Sequence, residues 1–200
     1  MLQRRPVDHG ASANEIALFD ADGRRKYLCG RELPRFLEAA ANADAPTRAL
    51  CQLLAFTGCR LSEALALTPA QLDVETARVI FRTLKRRKQM FRAVPVPLAL
   101  MKALLSLGTA RDARLWPWSR QTAWRRVKAV MDAAGISGPQ AMPKGLRHGF
   151  GVANAEQNIP MAVTQKWLGH AKLETTAIYQ QAVGREEQAF ARRLWRNWRD

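Results

Sequence analysis

The sequence predicts a mainly helical domain carrying one small three-stranded antiparallel sheet. Three observations lead there. Apolar residues recur at helical spacing over most of the chain. One stretch, 72–97, changes to short β-branched and aromatic runs. Glycine, proline and Asp-rich signals punctuate the segments, with no internal repeat or low-complexity tract. Hydrophobic residues make up 48% of the chain, enough for a packed core. Two hundred residues suffice for one domain, or for a domain plus an arm.

Residues 1–29 read as an N-terminal arm, polar, basic and loose over 1–13. Runs at 15–19 and 24–28 then flank Asp20-Ala21-Asp22-Gly23, the turn signal of a small hairpin. From Gly30, Leu33, Phe36, Leu37 and Ala40 mark one helix face. A second apolar helix, 49–56, stops at Thr57-Gly58, where glycine can take a left-handed cap. Arg60 opens a third, 61–67, ended by Thr68-Pro69. Val74, 79–81 and 93–96 read as the three strands, with the basic turn 82–88 between the last two. Helices follow at 98–107, 121–134, 145–156, 161–168, 173–181 and 185–198, the last lying in a C-terminal segment, 183–200. Trp116, Trp118 and Trp124 are expected as core or helix anchors.

Lys and Arg number 32 against 17 acidic residues, a net charge of +15. Such an excess predicts a polyanionic partner, and the weight of arginine suits bidentate phosphate contacts. No acidic residue occurs between Glu75 and Met101, so the basic turn is expected to touch phosphate as a group. No apolar run approaches the roughly 18 residues of a membrane span, and no apolar leader opens the chain. A cytoplasmic, nucleoid-associated protein without membrane contact is expected. Cys29, Cys51 and Cys59 have no metal-like spacing and read as reduced thiols.

The chemistry lies in four segments: Arg60 in TGCRLSEAL, Arg147-His148 in PKGLRHGF, His170 in WLGHAKL and Tyr179 in TTAIYQ. Two guanidiniums, an imidazole and a phenol can attack a phosphodiester without a metal. Only Tyr27 and Tyr179 are available as phenols, and Tyr179 lies nine residues beyond His170. On its own, Tyr179 would read as an amphipathic surface residue. Glu63 shares a helix face with Arg60 and can orient it.

In order and wording these segments resemble the tyrosine recombinase (phage integrase) family. TGCRLSEAL is similar to its TGxRxxEL box, Lys144-Gly145-Leu146-Arg147 to its H-x-x-R box, and LGHAKLETTAIYQ to its LGHxxxxTTxxY signature. The resemblance covers about 30–182, taken here as a catalytic domain with the fold of that family. It implies that Tyr179 attacks a scissile phosphate in double-stranded DNA, giving a 3′-phosphotyrosyl bond, while Arg60, Arg147 and His170 stabilise the transition state. It also implies that a hairpin lysine, Lys85 with Lys88 as the reserve, protonates the leaving 5′ oxygen. Lys144 stands where the family usually has histidine; it either takes the phenol's proton or binds phosphate. His148 is expected as a buried, hydrogen-bonded helper. Arg82, Arg86, Arg87, Lys88, Arg120, Arg125 and Arg126 are the expected DNA-binding cations.

Neither metal, ATP nor another cofactor is required by that reaction. The resemblance further implies four protomers assembled on the DNA, a free protein that can be monomeric, and accessory DNA-bending proteins as partners. Too few residues precede the pattern for the N-terminal clamp domain common in relatives, so weak, salt-dependent binding is expected in isolation. Trp195 and Trp198 form an apolar stripe with Phe190 and Leu194, packing either on their own domain or on a neighbouring protomer. The competing readings are a topoisomerase-like relaxation activity and a non-catalytic DNA-binding accessory protein.

Overall fold

The computed structural model describes residues 17–85, 88–108, 110–181 and 185–196, with side chains of 83–89 and 181–190 left aside. Its elements are α1 (Glu32–Ala41), α2 (Ala45–Thr57), α3 (Leu61–Leu65), a 3-10 turn (Pro69–Gln71), β1 (Leu72–Asp73), β2 (Arg78–Lys85), β3 (Lys88–Pro95), α4 (Leu98–Leu105), α5 (Arg120–Ala133), α6 (Pro143–Glu156), α7 (Met161–Leu168), α8 (Glu174–Ala177), a second 3-10 turn (Ile178–Gln181) and α9 (Arg185–Arg196).

Helix α2 is the axis of the core. Asp44 caps it by accepting from the Thr47 N–H at 3.0 Å, Pro46 sits in the first turn, and Gly58 ends it with φ 59°. Leu50, Cys51, Leu53 and Leu54 are fully buried where α2 packs against α1, α4, α5 and α6. Burial of this kind contributes roughly 1.5–3 kcal/mol per large apolar side chain. A second, smaller cluster joins Leu18, Tyr27, Val152, Leu168 and Tyr179, so residues from the arm pack beside the chain's C-terminal third.

The three strands pair in the order β1-β2-β3, all antiparallel. Val79 faces Val94 and Phe81 faces Arg92, which sets an inward row of Val79, Phe81, Arg92 and Val94. This sheet lies against α3 through β2 and against α7 through β3.

Four expected elements differ. Val74 is in a turn and 53% exposed, because the Asp73 side chain caps that turn through the Thr76 N–H and hydroxyl; the first strand is Leu72–Asp73 instead. The basic residues expected as a turn are strand up to Lys85 and again from Lys88, since the ladder continues to the Lys85–Lys88 pair. The helix expected over 173–181 is helical only to Ala177 and then tightens into a 3-10 turn. In the arm, the expected hairpin amounts to one bridge, Phe19 to Arg25, closed by Asp20 accepting from the Asp22 and Arg24 N–H groups; residues 1–16 lie outside the described ones.

Candidate active site

The loop after α2 places Arg60 at the start of α3. The Glu63 carboxylate accepts from the Arg60 backbone N–H at 2.8 Å and from its Nη1 at 3.1 Å, so one side chain orients both ends of Arg60. Glu63 also receives Nη1 and Nη2 of Arg92 at 3.1 and 2.7 Å. Burial alone would raise the Glu63 pKa. The Arg92 hydrogen bonds and charge, with the Arg60 N–H and charge, outweigh it and hold the carboxyl at about 2.

Sequence reasoning missed Arg92, which lies between the basic turn 82–88 and the expected strand 93–96 but belongs to β3. It is buried, lies 4.8 Å above the Phe81 ring, and donates through Nε to the Trp167 carbonyl at 2.8 Å. It thereby ties β3 and α7 to the carboxylate that orients Arg60. Its placement in the alternating row with Val94 was the available signal, and its positive charge obscured it.

Arg147 enters from α6. Its Nη1 donates to the Gly58 carbonyl at 2.7 Å and its Nη2 to the Leu168 carbonyl at 2.8 Å, at the C-terminal ends of α2 and α7. Each of those nitrogens carries a second N–H, so the guanidinium can also engage an anion. Burial, and then the nearby charge of Arg60, lowers its pKa to about 10, which leaves it charged at neutral pH.

His170 follows the left-handed Gly169 that ends α7, and its Nδ1 lies 3.0 Å from the Thr176 hydroxyl. Its ring stacks on that of Tyr179 with centroids 6.1 Å apart and planes 16° from parallel. Tyr179 is 2% exposed, and its ring rests on Gly151 of α6. Burial raises the phenol's pKa, with Arg147 and Arg60 opposing that shift. His148 is buried as expected; its Nδ1 lies 3.3 Å from the Tyr179 hydroxyl.

A cleft of about 590 Å³ is lined by Arg60, Lys144, Arg147, His148, His170 and Tyr179, with Arg120 and Trp124 also on its wall. Seven of the predicted residues, Arg120 among them, thus meet at one cavity. Lys144 is exposed at the first turn of α6. Trp116 is fully buried and donates to the Pro46 carbonyl, but Trp124 is 40% exposed in the cleft, not a core anchor.

The DNA-binding candidates divide. Arg82, Arg120 and Arg125 are exposed. Arg126 instead donates to Asp44 at 2.7 Å and Thr47 at 2.9 Å and stacks 4.4 Å from the Trp118 ring. Lys85 and Lys88 face each other at the end of the hairpin, but their side chains, like all of Arg86 and Arg87, lie outside the described residues. Among the described residues no cluster of His, Cys, Asp or Glu could hold a metal ion, and no helix is long and apolar enough to cross a membrane. Cys51 and Cys59 are buried, which pushes both thiols up to about 12 and makes them poor nucleophiles.

Comparison with known proteins shows what the chain is similar to. The phage integrase family profile matches residues 26–185. Tyrosine recombinase XerD of Mycobacterium tuberculosis is 35% identical, over 90% of this chain and 67% of that protein. The crystal structure of XerA recombinase superposes with a TM-score of 0.67 at 26% identity, covering 87% of this chain and 65% of that one. That of XerH site-specific recombinase bound to palindromic difH substrate, a post-cleavage complex, gives 0.75 at 22% identity, covering 86% and 53%. The chain spans about half to two thirds of the length of the curated relatives it matches.

Proposed function

The chain belongs to the phage integrase family of tyrosine recombinases, and from that premise we propose that it cuts and rejoins double-stranded DNA through a covalent phosphotyrosine. The observation that carries this reading is the convergence of Tyr179 with Arg60, Arg147 and His170 on one cleft. Tyr179 Oη attacks the scissile phosphorus, forming a 3′-phosphotyrosyl bond and releasing a 5′ hydroxyl. Arg60 and Arg147 bind the non-bridging oxygens and His170 donates to one of them, offsetting charge that grows in the transition state.

Lys85, or Lys88 in its place, protonates the leaving oxygen, and Lys144 contacts phosphate from the first turn of α6. Attack by a 5′ hydroxyl of a partner strand reverses the chemistry. The phosphotyrosine conserves the bond energy, so neither ATP nor a metal is called on. Exchange of two duplexes requires four protomers on the DNA, with the free protein monomeric and DNA-bending accessory proteins assisting at the nucleoid. Arg82, Arg120 and Arg125 track the duplex backbone.

The test is a nicked suicide duplex incubated with wild type and Tyr179→Phe and run on a denaturing gel. A covalent band in wild type alone is the expected result. The deep burial of Tyr179 favours a second reading, a protein that occupies DNA without cutting it. A mobility shift with no covalent band from wild type would select that reading.

A further inference from the structure

We propose that His148 is a catalytic residue that takes the phenolic proton of Tyr179 as the tyrosine oxygen bonds to phosphorus. The proposal rests on the recombinase reading above and names a group that reading leaves unassigned.

The geometry carries it. His148 Nδ1 is 3.3 Å from Tyr179 Oη, within the looser range of catalytic hydrogen bonds before substrate tightens them. The His148 ring is buried and its Nε2 has no hydrogen-bond partner among the described residues, where Tyr179 is the polar group that orients the imidazole. Gly151, on the next turn of the same helix, lets the phenol lie close enough for the contact. Lys144 lies one turn before His148 on α6, exposed at the mouth of the cleft, where a phosphate contact suits it.

The surroundings support the same role. Burial, followed by the charges of Lys144, Arg147 and Lys26, lowers the imidazole to about 4. It is therefore neutral at pH 7, the state that can accept a proton. Those cations oppose an imidazolium in the free protein. A phosphodiester entering the cleft brings one negative charge among them, and attack adds a second. The base strengthens as the proton must leave.

In the step, the Oη–P bond forms and the P–O5′ bond breaks. The Oη proton moves to Nδ1 of the tautomer that carries its hydrogen on Nε2, and the leaving oxygen takes its proton from the hairpin lysine. The reverse attack returns the Nδ1 proton to Oη.

The experiment uses the whole chain on a nicked suicide duplex. A covalent band from wild type is required first, and its absence overturns the recombinase reading and this proposal together. Given that band, His148→Gln should bind DNA and melt normally yet cleave roughly 100-fold more slowly. Because the chain has only two tyrosines, fluorotyrosine can then be incorporated throughout to lower the phenol pKa. It should restore His148→Gln by about tenfold and change wild type less than about threefold. A 5′-bridging phosphorothiolate, which relieves only leaving-group protonation, should leave the variant slow. Cleavage by His148→Gln within about threefold of wild type, or fluorotyrosine rescue of Lys144→Met in place of it, would overturn the assignment. If His148→Gln does not fold, His148→Asn is held to the same criteria.

Discussion

The ring of Tyr179 lies directly against Gly151: a Cβ at position 151 would fall 2.5 Å from two of the ring carbons. The phenol is seated by the absence of a side chain on α6, and the helix that supplies Arg147 and His148 therefore also supplies its berth. Gly151→Ala should destabilise the fold by about 1–3 kcal/mol, the usual range for overpacking. It should also lower covalent-adduct formation at temperatures where the variant is still folded. Thermal melts paired with the suicide-substrate gel check both, and an unchanged adduct yield would show that the contact does not hold the phenol in place.

The buried carboxylate between Arg60 and Arg92 makes a second prediction. Arg92→Ala leaves Glu63 buried without its bidentate partner, and breaking a buried pair in this way costs about 3–5 kcal/mol. Arg92→Lys keeps the charge but not the fork, so it should lie between alanine and wild type in urea denaturation. In both variants adduct formation should drop, since Arg60 loses the carboxylate geometry that orients it.

Glu63 also gives the acid limb of stability a direction. Its pKa is about 2 in the folded chain against an ordinary 4.5. The unfolded state therefore takes up the proton first as pH falls. The contribution, about 3 kcal/mol, is fully present above pH 4.5 and is lost progressively toward pH 2. Glu32, held at about 2 by Arg25, the Cys29 N–H and Gln140 against the effect of its burial, adds in the same sense. Glu63→Gln should flatten the fall in melting temperature between pH 5 and 3, and a curve parallel to wild type would refute this account.

Salt should separate two arginines that look alike in the sequence. Arg120 is exposed on the cleft wall, whereas Arg126 is tied to Asp44, Thr47 and Trp118. Arg120→Ala should reduce the slope of log affinity against log salt by about one. Arg126→Ala should leave that slope unchanged and lower stability by about 1 kcal/mol, the scale of a partly exposed ion pair plus a cation–π contact. Fluorescence-anisotropy titrations at several salt concentrations, with melts alongside, distinguish the two.

What the sequence disclosed was whatever is written in local order. Gly58 announces the end of α2, Arg60 and Glu63 lie three apart, and His170 and Tyr179 share one short segment. What it concealed depends on residues distant along the chain. Nothing near Arg92 reveals that it meets Glu63, 29 positions away, and nothing near His148 reveals Tyr179, 31 positions on. The hairpin was underestimated because Arg82, Lys85 and Lys88 have poor strand propensity, which pairing along the ladder overrides. Trp124 misled because helical periodicity does not tell a core-facing tryptophan from one that faces a cleft.

Arg147 bridges the Gly58 and Leu168 carbonyls, 89 residues before it and 21 after. No local fragment of the chain can make both bonds. The guanidinium is set only when α2, α6 and α7 have docked, so a half-made molecule lacks a properly held arginine. For the strand cleavage proposed above, that coupling is a safeguard: errors in folding silence the blade instead of leaving it loose.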